Sequence, residues 1–155
     1  IMKKLILLLS LSFFLIGTTS AQEATNSVLN ESFVEWNFGV AFLDGMDYPF
    51  PGTSVLWGES YTNENNLIFE FEVGFALPTL VTGKLGIGKK FNNTKVVVGI
   101  RPFPFNIYGQ ASFFGDENGY WIVSLEYNPM NPSDSFSRGI LNFGYRWNLD
   151  DIPFW

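Results

Sequence analysis

The sequence predicts an all-β protein, about eight antiparallel strands in up-and-down (meander) order closed into a barrel. Three observations carry that prediction. In residues 66–77 (NLIFEFEVGFAL), Leu67, Phe69, Phe71, Val73, Phe75 and Leu77 alternate with Ile68, Glu70, Glu72, Gly74 and Ala76. A strand turns successive side chains to opposite faces, so one face is large and apolar and the other small and acidic. The alternation lasts about eleven residues, close to what crosses a bilayer on a tilt, and further segments on both sides repeat it. The composition agrees. The 155 residues are 46% hydrophobic and 18% aromatic but only 15% charged, with the apolarity spread through alternation rather than gathered into one long run.

At the N-terminus, Lys3 and Lys4 precede LILLLSLSFFLIG and the small residues TTSA. This order of basic, apolar and small segments predicts a secretory signal peptide over residues 1–21, cut after Ala21. An uncleaved helical anchor is the alternative, although the apolar run is short for a span. Removing both lysines leaves seven basic against fifteen acidic residues, a net charge of −8 in place of −6. Residues 22–32 read as a polar lead-in and residues 33–155 as the barrel.

The first strand is expected over residues 33–43, with Val34, Trp36, Phe38, Val40 and Phe42 opposite Glu35, Asn37, Gly39 and Ala41. After a loop with Gly45, Pro49 and Pro51, the second, over 53–61, is the least regular, because Glu59 interrupts its apolar side. The third is 66–77, closed by Pro78, and the fourth is 80–91. Asn92 and Asn93 make a tight hairpin turn, since Asn tolerates positive φ, and the fifth strand returns over 94–101. Phe103, Pro104, Phe105 and Asn106 form the next turn. The sixth strand is 107–114, GDENG turns it, and the seventh is 120–127. A loop containing Pro129 and Pro132 leads to the eighth, 139–149.

Side-chain volume decides which face looks inward. An eight-stranded barrel is just wide enough to be filled by its own side chains, so the Gly, Ala, Ser and Asn stripes fit inside and the Phe and Trp stripes do not. Facing water, those stripes would exceed what a soluble monomer exposes; facing lipid they are well solvated. The sequence thus predicts a transmembrane barrel, with Trp36, Phe91, Trp121, Tyr145 and Trp147 as an interfacial girdle on the side of the termini. The competing expectation is a secreted soluble barrel of lipocalin type, whose apolar residues would line a ligand cavity.

Turn positions set the expected register. A turn at Asn92 and Asn93 places Lys84 opposite Arg101, one centred on Pro104 and Phe105 places Arg101 opposite Tyr108, one centred on Glu117 places Tyr108 opposite Glu126, and one at Pro78 places Glu72 opposite Lys84. Together these predict one polar row through the interior: Glu72, Lys84, Arg101, Tyr108 and Glu126. Glu35 and Arg146 are expected to pair where the last strand meets the first, and Glu70 shares the face of Glu72. Buried charges need partners, and here cations lie between carboxylates. Such a row reads either as a structural plug or as a proton or ion path.

The signal peptide, the Gly-rich alternation in LGIGKKF and VVVGIRPFPFNIYGQASF, the final strand LNFGYRW and the terminal aromatic Trp155 make the chain resemble small outer-membrane β-barrels of the OmpA-like transmembrane type. The resemblance covers nearly all of the mature chain. It implies location in a Gram-negative outer membrane, lipid as the surrounding partner, and insertion by the barrel-assembly machinery. One departure is that Asp150, Asp151 and Pro153 separate Trp155 from the last strand.

Several functions are disfavoured by residue type. There is no Cys and no His, which removes the usual general base, thiolate chemistry and the commonest transition-metal ligands. No enzyme activity, catalytic residue, cofactor or metal is expected. The acidic balance speaks against nucleic acid, eight strands are too few for a wide porin-like channel, and a monomer is expected. A structural or surface-contact role in the membrane is the reading that remains.

Overall fold

The computed structural model describes residues 29–43, 45–77, 79–116, 119–130 and 137–149. Within them the strands follow in chain order: β1 (Leu29–Phe42), β2 (Phe50–Thr62), β3 (Leu67–Leu77), β4 (Leu80–Phe91), β5 (Thr94–Arg101), β6 (Asn106–Asp116), β7 (Gly119–Tyr127) and β8 (Gly139–Asn148). Each pairs antiparallel with the next, and β8 returns to β1, closing the barrel. The end carrying Leu29 and Asn148 is the lower end here, and the end carrying Phe42 and Gly139 is the upper. The expected signal peptide, its cut after Ala21, Pro78 and Trp155 lie outside the described residues.

The bounds of β4 and β5 are those expected from alternation. β1 differs, beginning at Leu29, so residues 29–32, read from sequence as lead-in, already pair with residues 59–62 of β2. Asn30, Glu31 and Ser32 carry no apolar side to signal a strand. They belong to β1 through their pairing with β2, and Glu31 points into the barrel, where it forms an ion pair with Lys95.

Closure follows a single path of paired residues. From Glu31 the ladder passes to Ser60, Glu70, Gly86, Gly99, Tyr108, Glu126 and Ile140, and it re-enters β1 at Ala41. One circuit therefore climbs ten residues, from position 31 to position 41. For eight strands that stagger fixes a tilt of about 40° and a backbone radius of about 8 Å. The strands then stand about 25 Å tall along the barrel axis.

The register agrees with the turn-based expectation at three junctions. Glu72 faces Lys84, Leu85 faces Ile100 in the frame expected around Asn92 and Asn93, and Tyr108 faces Glu126. At β5–β6 it is offset by two residues: Arg101 faces Asn106, and Gly99, not Arg101, faces Tyr108. The turn occupies residues 102–105, so its centre lies between Phe103 and Pro104. The fully buried Asn106 fixes this frame, since its amide donates to Glu126 Oε2 at 3.4 Å while Arg101 reaches Oε1 of the same carboxylate.

The two faces separate sharply. Phe75 (65% exposed), Ile87 (64%) and Leu125 (62%) represent an outer surface that also includes Phe38, Val73, Val98, Phe143 and many other apolar side chains. The inward positions are mostly polar or small, with Phe33, Leu56, Ile68, Val97 and Ile122 as apolar fillers. The Phe and Trp stripes thus lie on the outside and do not line the cavity a lipocalin-type barrel would have. Glycines make room where the interior is tightest: a Cβ on Gly99 would stand 2.7 Å from Tyr108 Cε1, and one on Gly58 would stand 2.7 Å from Phe33 Cζ.

Candidate functional site

Among the described residues charged side chains converge in the interior, and alternation along eight strands puts them there. Glu35, Glu70, Glu72, Lys84, Arg101, Tyr108, Glu126 and Arg146 are all buried. They do not form a single row. Because the strands tilt, a row that follows the ladder climbs from strand to strand, and the polar groups gather into three tiers at different heights.

The middle tier is built around Arg146. Its Nη2 donates to Glu35 Oε2 at 2.7 Å, Glu72 Oε1 at 2.8 Å and Glu70 Oε1 at 3.2 Å, and its Nη1 donates to Glu70 Oε2 at 2.9 Å. Glu35 and Arg146 are cross-strand neighbours at the β8–β1 closure, and Phe33 supports the guanidinium from one side, its ring centroid 3.6 Å from Cζ. Lys84 Nζ lies 3.3 Å from Glu35 Oε1 and 3.4 Å from Glu72 Oε2 and donates to Gln110 Oε1 at 3.1 Å. Gln110 Nε2 and Asn37 Nδ2 both donate to Glu35, at 3.2 and 2.7 Å. Glu35 is therefore the most fully bonded carboxylate. Glu72 is the least, since its Oε2 accepts no hydrogen bond. The tier holds three carboxyl groups against two cations.

The upper tier is a separate network. Arg101 Nη2 meets Glu126 Oε1 at 2.6 Å, and Asn142 Nδ2 donates to that oxygen at 3.1 Å and to Ser124 Oγ at 3.2 Å. A cavity of about 40 Å³ lies at this mouth, lined by Gly39, Ala41, Ser54, Ala76, Arg101 and Asn142 among others. The lower tier is the ion pair of Lys95 with Glu31, with Lys95 Nζ 4.7 Å above the Tyr120 ring.

Of the expected row, then, Glu72 and Lys84 meet in the middle tier and Arg101 and Glu126 in the upper. Tyr108 stands between them, its ring 5.5 Å from Lys84 Nζ and its hydroxyl unpartnered. Alternation puts Asn37, Lys95, Gln110 and Asn142 on the inward faces of their strands, but turn-based register did not bring them into the polar network. Glu31 was hidden because its strand had not been extended far enough.

The expected girdle also divides. Phe91 ends β4 at the lower rim. Trp121, Tyr145 and Trp147 pack together near the lower end, with ring centroids 5.0 Å apart for Trp121–Tyr145 and for Tyr145–Trp147. Trp36 is the exception, lying midway along β1 because that strand begins at Leu29. There its Nε1 donates to Thr53 Oγ1 at 2.9 Å.

Fold and interior together define a class: a closed eight-stranded meander barrel with charged groups inside and an apolar wall outside. No family model and no curated protein matches the chain. Among solved structures it is similar to a chain from work on the de novo design of transmembrane β-barrels, at 12% identity and a TM-score of 0.45, over 76% of this chain and 95% of that one. That likeness is too loose to bear on function.

Proposed function

We propose that the protein is an integral outer-membrane β-barrel, related in kind to OmpA-like transmembrane barrels, with a structural or surface-contact role and a packed polar interior. One observation carries this reading: the exposed wall of Phe38, Phe75, Ile87, Val98, Leu125, Phe143 and their neighbours encircles the barrel. A continuous apolar band of this kind, about 25 Å tall, matches the hydrocarbon layer and is far larger than the patches of soluble monomers. Lys89 and the aromatic residues Tyr61, Phe69, Phe91, Trp121 and Trp147 fall toward its lower border, where interfacial side chains belong.

In this reading the signal peptide directs export, the barrel-assembly machinery inserts the chain, and the barrel stands as a monomer in lipid. The interior acts as a plug, not a path, because its charges are tied to one another tier by tier. With no His or Cys, the proposal includes neither catalysis nor a cofactor, and the acidic balance of the chain speaks against nucleic acid. The test is gel mobility of the membrane fraction with and without boiling. A band that needs detergent for extraction and shifts on boiling is expected; recovery in the soluble fraction without a shift refutes the proposal.

A further inference from the structure

We infer that Glu59 is a binding site for the ammonium group of a lipid headgroup, specifically a primary amine of the ethanolamine class. The inference rests on the membrane reading above. On β2, Leu56 and Ser60 are buried inside while Trp57 is exposed outside, so Glu59 shares the outer face with Trp57 and Tyr61. It is three residues from the lower end of β2, opposite Ser32 on one side and Phe71 on the other. A carboxylate in a lipid-facing stripe is unfavourable, and where one persists a function is the default hypothesis.

Three features of its surroundings select the ligand. First, Glu59 is half-buried and accepts a hydrogen bond from the Tyr61 hydroxyl, a neutral donor that leaves its charge uncompensated. Second, among the described residues no cation pairs with it. Lys89, the basic residue on the outer face of β4, lies two strands away, with Nζ 5.9 Å from the Phe91 ring centroid. Third, rings flank the carboxylate along the strand and are held in place. Tyr61 stacks on Phe71 with centroids 6.5 Å apart, and Trp57 meets Phe75 edge-on at 6.3 Å. Aromatic faces attract a cation, and the carboxylate accepts its hydrogen bonds. An ethanolamine ammonium has three N–H donors and a choline headgroup has none, so the site distinguishes the two.

The test is to reconstitute the full chain in bilayers of equal parts ethanolamine, choline and glycerol phospholipids, extract it gently, and quantify the bound lipid by mass spectrometry. Enrichment of ethanolamine over choline lipid is expected for the wild type. Glu59→Gln reduces that enrichment about fivefold, Trp57→Leu reduces it less, and Lys89→Gln leaves it unchanged; heat-modifiable mobility verifies that each variant is folded. Equal retention of ethanolamine and choline lipid, or equal enrichment in wild type and Glu59→Gln, overturns the inference while the barrel remains a membrane protein. Failure of the wild type to enter any of the bilayers overturns the membrane reading itself, and this inference with it.

Discussion

Arg146 offers the sharpest test of the interior. It is 1% exposed and bonds three carboxylates, so replacing it with methionine keeps an unbranched apolar stem while removing every one of those bonds. The middle tier would then hold Glu35, Glu70 and Glu72 against Lys84 alone. Removing one partner from a buried ion pair costs about 3–5 kcal/mol. With three carboxylates left short, Arg146→Met belongs at the upper end, about 5 kcal/mol. Two companion variants separate charge from hydrogen bonding. Glu72→Gln and Glu35→Gln each remove one carboxyl group, but Glu72 has an oxygen without a hydrogen bond whereas Glu35 accepts from Asn37, Lys84, Gln110 and Arg146. Glu72→Gln is therefore expected to be neutral or stabilising by about 1 kcal/mol, and Glu35→Gln to cost about 3 kcal/mol. The assay is urea unfolding of the reconstituted barrel, followed by tryptophan fluorescence and by gel mobility. An Arg146→Met barrel within about 1 kcal/mol of wild type would refute the reasoning, as would equal losses for the two Glu→Gln variants.

Other outcomes follow from the same geometry. Tyr108→Phe removes a hydroxyl with no partner, so unfolding should shift by less than about 0.5 kcal/mol; a loss above about 2 kcal/mol would reveal a bond the structure does not contain. Gly99→Val presses a branched side chain onto the Leu85 carbonyl oxygen, the Tyr108 ring and the Gly86 backbone, and the expected result is a loss of heat-modifiable folded protein that Tyr108→Ala does not restore, because the backbone contacts remain. Val98→Arg puts a charge in the middle of the outer band and should cost about 2–4 kcal/mol in lipid, read as reduced folded yield in bilayers. Improved recovery of soluble Val98→Arg protein would instead favour a water-facing wall.

How far the sequence alone reaches differs between the fold and the interior. Alternation with period two is a local property, and it placed β4 and β5 to the residue and assigned Glu35, Lys84 and Arg146 to one face. Closure is not local. The ten-residue climb around the barrel is the sum of eight pairings, and an offset at the residue 102–105 turn moves everything beyond it. A row drawn along the ladder therefore looked level when it was a spiral, and the polar groups of Glu72–Lys84 and Arg101–Glu126 belong to different heights. Residues 29–32 were missed for another reason. Their place in β1 rests on pairing with residues 59–62 of β2, and Glu31 meets Lys95, a residue 64 positions away that no window of neighbouring residues reveals.

The frame of β5 against β6 has a consequence for how the chain finds its native alignment. A slip of two residues leaves every outward side chain outward, so the bilayer is indifferent between the observed pairing of Arg101 with Asn106 and the alternative pairing with Tyr108. Discrimination has to come from inside, where only the observed frame lets Arg101 and Asn106 grip the same Glu126 carboxylate. These buried bonds thus work as a key cut for one lock. Lipid sorts the two faces of each hairpin, and interior chemistry chooses among the alignments that lipid cannot tell apart.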